Sequence, residues 1–194
     1  MIKTLKKSVI KYLSKYKISI LIFLIISIGF FLRINTVSML PLEYHSWEQT
    51  ENLSIVREYL KNGIDLFNSK SFNTAPLLSG LQNENRIHSG ELPIYQALCA
   101  IIIKIFLISE NDTHIVARSI SVVSSCSIIL FLYWLGKKEH SKNIGIISAI
   151  IFAIFPFFVF YSRLALPDMF AFSFTLYSVF FLSKYFDFKE KKRK

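Results

Sequence analysis

Cysteine is nearly absent from this chain. Its 194 residues hold two, Cys99 and Cys126, each inside an apolar run. A disulfide framework and a cysteine-rich metal site are thereby excluded, and both thiols read as packing residues. Charge is missing from long stretches. Ser119–Gly136 and Ile144–Ser162 carry no charged side chain. Ile18–Leu32 is equally free of charge between Lys17 and Arg33, and Met169–Ser183 is free of it up to Lys184. A helix needs roughly 20 such residues to cross a hydrocarbon core, and long basic side chains at its ends can snorkel and extend the usable length. No small-x-small pattern follows the first run, so it reads as a retained anchor rather than a cleaved leader. Acids are absent from residues 1–17, which hold six lysines.

What is present is hydrophobic and basic. Apolar residues form 53% of the chain, phenylalanine alone supplies 19 positions, and mean hydropathy is +0.44. The net charge of +10 does not indicate nucleic acid. The cations sit in blocks beside the apolar runs, where they set orientation and meet anionic lipid. The basic leader places residues 1–17 in the cytoplasm. Leu92–Ile103 is too short to cross and is interrupted by Lys104; such a segment lies at the interface. With that segment not crossing, Lys137, Lys138 and Lys142 fall inside. So does the tail of Lys184, Lys189, Lys191, Lys192, Arg193 and Lys194. Crossing would put both groups outside, against the positive-inside rule.

The expected fold is therefore an all-α membrane protein with four transmembrane helices, at 18–34, 115–136, 144–163 and 169–186. A large external loop, 35–114, follows the first span and carries membrane-parallel helices near 47–61 and 92–108. Residues 137–143 and 187–194 are cytoplasmic, and 164–168 form an external turn. A loop this long usually has structure or function. Ser46-Trp47-Glu48-Gln49 fits a capping box opening the first loop helix, and Asn62-Gly63 stops it. Leu53, Val56 and Leu60 give that helix an apolar stripe, with Glu48, Glu51 and Asn52 on another face. Residues 64–90 are polar and rich in asparagine, and read as mobile loop.

Under this topology Glu43, His45, Glu48, Glu51, Glu91 and Asp168 all reach the outer face. Ionisable groups at such places mark chemistry more often than packing. Each has a blander explanation. Glu48 and Glu51 could complement the helix dipole, Glu91 could cap the helix begun by Pro93, and Asp168 could cap the last span and pair with Arg163. No apolar run carries an internal charge, which disfavours a transporter.

Four stretches resemble one family in order and spacing. They are His45-Ser46-Trp47-Glu48-Gln49-Thr50-Glu51, Arg57-Glu58-Tyr59-Leu60-Lys61-Asn62-Gly63, Glu91-Leu92-Pro93-Ile94-Tyr95, and Tyr161-Ser162-Arg163 through Leu166-Pro167-Asp168-Met169. They are similar to the N-terminal part of integral-membrane GT-C glycosyltransferases of the protein O-mannosyltransferase-like type (glycosyltransferase family 39). The resemblance implies transfer of a sugar from a polyprenyl-phosphate-linked donor to a glycan, lipid or protein acceptor outside the cytoplasmic membrane. Its catalytic carboxylate maps to Glu48 or Glu51, and a second acid of the site maps to Asp168. The acid that helps hold a divalent metal in some members maps to Glu91; no other cofactor is implied. Arg163, Arg86, Lys70 and His45 are the cations available for the donor phosphate. Family members carry more spans, so the alternative is a truncated or partner-dependent, non-catalytic membrane protein.

Overall fold

The computed structural model describes residues 2–76, 80–88 and 90–193. Lys194 of the basic tail lies outside the described residues, as do positions 77–79 and 89 of the polar stretch. Among the described residues every regular element is helical: α1 (Ile2–Ile34), α2 (Ser46–Asn62), α3 (Ile94–Phe106), α4 (Thr113–Glu139), α5 (Lys142–Ile154), α6 (Pro156–Tyr161) and α7 (Asp168–Arg193). A single 3-10 turn, Glu110–Asp112, precedes α4. Among the described residues three segments are long and apolar enough to cross a membrane: Tyr16–Ile34, Glu110–Glu139 and Asp168–Lys189. The molecule is a multi-pass membrane protein.

The remaining apolar run is not one helix. Pro156 has no N–H to donate to the carbonyl of Phe152, and the helix breaks there. Phe155 takes an extended conformation between α5 and α6. The freed carbonyls are not left bare. Arg33, at the end of α1, is fully buried. It donates to Phe152 O at 3.0 Å, to Ala153 O and Gly29 O at 2.8 Å each, and to Ser162 Oγ at 2.7 Å. Proline is tolerated inside a bilayer when a neighbour satisfies the backbone in this way. Arg33 thus does not snorkel. It is turned inward because the break offers acceptors that the lipid does not.

The helices alternate in direction. Arg118, near the start of α4, bonds Thr36 O just past the end of α1. Ser121 of α4 bonds Leu166 O just before α7, and at the far ends Lys138 of α4 pairs with Asp187 of α7 at 2.9 Å. α4 and α7 are therefore parallel, and α5 with α6 returns the chain between their opposite ends. The α4–α5 hairpin is tight because Gly136 and Gly145 meet backbone to backbone. A Cβ on Gly136 would fall 2.8 Å from Gly145 Cα.

Two buried clusters hold the fold. One joins Ile22 and Ile25 to Ile128, Ile129, Ala149, Phe152, Ala153, Met169 and Leu176, among the long helices. The other joins Leu53, Ile55, Val56 and Tyr59 of α2 to α3, the start of α4 and Ala165. The apolar stripe of α2 is thus spent on protein, not on a membrane surface. α3, at 13 residues, is shorter than a crossing helix. Cys99 is fully buried in it, and burial pushes its thiol up to about 12, consistent with an inert packing residue.

Candidate active site

α2 begins one residue earlier than a Ser46 cap requires. His45 is its N-cap, in the left-handed region at φ 59°, with no side-chain cap bond. Gln49 does not reach back to close a capping box on Ser46. It is fully buried. Its carboxamide oxygen accepts from Ala165 N at 3.1 Å and from Arg118 Nη2 at 3.2 Å, and its nitrogen donates to Tyr44 O at 3.3 Å. Three separated segments converge on one amide, and this outweighs the local cap. The latch sets the first turn of α2 against the α6–α7 turn.

Arg118 is the other half of the latch. It is wholly buried and pairs with Glu43 at 2.7 Å. Glu43 is therefore a counterion, not a free acid. Its loss would leave a buried guanidinium uncompensated, a change that costs on the order of 3 kcal/mol. Glu43→Ala should lower the unfolding midpoint of the detergent-solubilised protein markedly. Glu43→Gln, which keeps an acceptor oxygen, should lie between Glu43→Ala and the parent chain. Equal stability of all three would remove this role.

Three cavities meet at Glu48. An apolar groove of about 680 Å³ runs between α3 and α7, lined by Leu92, Ile94, Tyr95, Phe170 and Phe174, with Glu48, Glu91 and Asp168 at its head. A polar cleft of about 350 Å³ lies across α2, lined by Trp47, Glu48, Glu51, Asn52, His88 and Glu91 among others. A smaller space holds His45, Glu48, Tyr161 and Asp168. The fold thus gathers Glu48, Glu51, Glu91, Asp168 and His45 around connected space. Glu48 is half-buried and lies 3.1 Å from His45 Nδ1. Glu51 belongs to the polar side, 3.4 Å from His88 Nδ1. Glu91 makes no capping bond to α3. Asp168 starts α7 and is not paired with Arg163.

Three sequence-derived cations fall elsewhere. Arg86 lies 3.6 Å from Glu58. Lys70 is exposed on an isolated bridge to Ile87. Arg163 carries a buried, unpartnered Nε and borders Arg33. None of the three lines the groove or the cleft. Among the described residues no three His, Cys, Asp or Glu side chains converge as a metal-binding set. Glu91 therefore has no two further such ligands beside it among those residues.

Two site residues were not singled out from sequence, Arg118 and His88. Arg118 borders an apolar run and reads there as a flank. His88 stands in a polar stretch without a motif. The described part of that stretch is well bonded rather than loose. Asn83 accepts from Ile87 N at 2.8 Å and donates to Ile87 O at 3.0 Å, and His88 N donates to Ser69 O at 2.8 Å.

Carboxylates gathered beside an apolar groove, in a multi-pass helical chain, mark a candidate active site. Residues 90–193 match the family model described as Dolichyl-phosphate-mannose-protein mannosyltransferase. The chain belongs to that family of glycosyltransferases. Glu91, Arg163 and Asp168 lie inside the matched segment; Glu48, Glu51 and His88 lie before it. No curated protein and no solved structure matches the chain.

Proposed function

We propose that this chain forms the site of a membrane glycosyltransferase that moves a sugar from a polyprenyl-phosphate donor to an acceptor hydroxyl on the outer face of the cytoplasmic membrane. Four crossings, with α5 and α6 together as the third, support that topology. They leave Lys137, Lys138 and Lys142 on one side and the α2 site on the other. The observation that carries the mechanism is the position of Glu48: it borders the apolar groove and the polar cleft, as Glu91 also does, and it alone of the two borders the space shared with His45 and Asp168. The groove takes the lipid of the donor, and the cleft takes the acceptor. Its polar lining of Glu51, Asn52, Asn73, Asn83 and His88 suits a hydroxyl acceptor. Glu48 stands where the two substrates meet. As general base it takes the proton of the acceptor hydroxyl. The acceptor oxygen then bonds the anomeric carbon, and polyprenyl phosphate leaves with the electrons of the broken C–O bond. Asp168 orients the sugar at the groove head, and His45 orients Glu48.

The first test is whether membranes holding the protein transfer label from radiolabelled polyprenyl-phosphate mannose, or release the carrier phosphate. No turnover above membranes lacking the protein would count against the assignment. Sidedness has its own test. Lys70→Cys should react with a membrane-impermeant maleimide in intact cells, and Lys142→Cys only after permeabilisation. The reverse pattern would invert the topology.

A further inference from the structure

The imidazole of His88 has no place in the mechanism above, yet it is built into the cleft. Its side chain is 10% exposed, that of Glu51 21%. Nδ1 lies 3.4 Å from Glu51 Oε1, while Nε2 is buried without any hydrogen-bond partner. The ring is pressed against Gly90: a Cβ there would fall 2.7 Å from both Nε2 and Cε1. The backbone leading into the ring is held: Ile87 N donates to Asn83 Oδ1, and His88 N donates to Ser69 O. A buried ring nitrogen left bare needs a reason, and the geometry supplies one. The ring is stacked where only Nδ1 can act, and Nδ1 faces a carboxylate.

We propose that His88 is a positioning residue for the transfer reaction, acting through Glu51 on the acceptor side of the cleft. It rests on the glycosyl-transfer reading given above. Nδ1–H donates to Oε1 and fixes the rotamer of Glu51, leaving the other carboxylate oxygen to hold an acceptor hydroxyl beside Glu48. The charged side chains sharing the cleft wall with His88 are Glu48, Glu51 and Glu91. Arg86, two positions before it, is occupied by Glu58. Three like charges around one cleft repel one another, and a carboxylate left unheld there would turn away. Gly90 has a matching role: only a residue without a side chain lets the ring lie where it does.

The test uses the full chain in nanodiscs. Asparagine places an N–H near the position of Nδ1; glutamine reaches the position of Nε2 instead. His88→Asn should keep turnover within a few-fold of the parent. His88→Gln, His88→Ala and Gly90→Ala should each lose about 100-fold in kcat, the scale of misplacing a reacting group by an ångström, with the donor KM unchanged. Equal activity of the Asn and Gln variants would overturn the proposal. So would a loss that appears wholly in the donor KM. A second readout needs no substrate. With 15N-labelled histidine, the ring resonances missing in His88→Asn identify His88, and Glu51→Gln should move them. Unmoved resonances would overturn the pairing. If the parent chain shows no transfer but the resonances move, it is the glycosyl-transfer assignment that fails, and the Glu51 contact stands.

Discussion

Glu48→Gln should lower sugar transfer by about 10²–10⁴-fold, the range removed with a general base, while the protein still inserts and folds. The substitution is nearly isosteric. It deletes the ability to take a proton and leaves the walls of all three cavities in place. Among the described residues the side chain of Glu48 meets only His45, on the same turn, and takes no part in the Gln49–Arg118 latch. Donor binding should survive, because the groove below is apolar. Asp168→Asn should cost less than Glu48→Gln, since Asp168 borders the groove but not the polar cleft. Glu51→Gln is the deciding comparison. If it costs more than Glu48→Gln, the proton is taken on the cleft side and the two glutamates exchange roles. Full activity of both variants would remove the carboxylate mechanism.

The largest effect on stability should come from Arg33→Met. Methionine fills similar space but strands the carbonyls of Phe152 and Ala153, and each buried, unsatisfied acceptor costs about 1–3 kcal/mol. The expected loss is on the order of 4 kcal/mol, read from thermal or denaturant unfolding in detergent. A double-mutant cycle makes the explanation specific. Pro156→Ala restores an N–H that can serve Phe152 O, so Arg33→Met should cost less in that background, by about 1–3 kcal/mol. Additive costs would mean that Arg33 and Pro156 are unrelated.

Much of the architecture can be read from the chain. The long apolar runs give α1, α4 and α7, and the brevity of Leu92–Ile103 gives the 13-residue α3. The stripe of Leu53 and Val56, with Gly63 as the stop, gives α2 almost to its ends. The failures have a common cause. Ser46 reads as a cap and Arg33 as a snorkelling flank because both readings use neighbours in sequence. Gln49 answers instead to residues 118 and 165, and Arg33 to residues 152, 153 and 162. The break at Pro156 is hidden because hydropathy continues through it unchanged. At the site, the structure brings the acids named from the sequence around the cavities at Glu48. It sets Arg86 beside Glu58 and Arg163 near Arg33, placements that no spacing reveals. His88 carries no local signal at all.

The Gln49 latch also fixes an order of events in time. Its partners leave the ribosome 69 and 116 residues after it. Before Ala165 arrives, α2 can already pack on α3 and the start of α4, but its first turn lacks the bond from Ala165 N. The turn that bears Glu48 is thus made early and fixed late. Synthesis of the α6–α7 turn is the moment at which the latch closes.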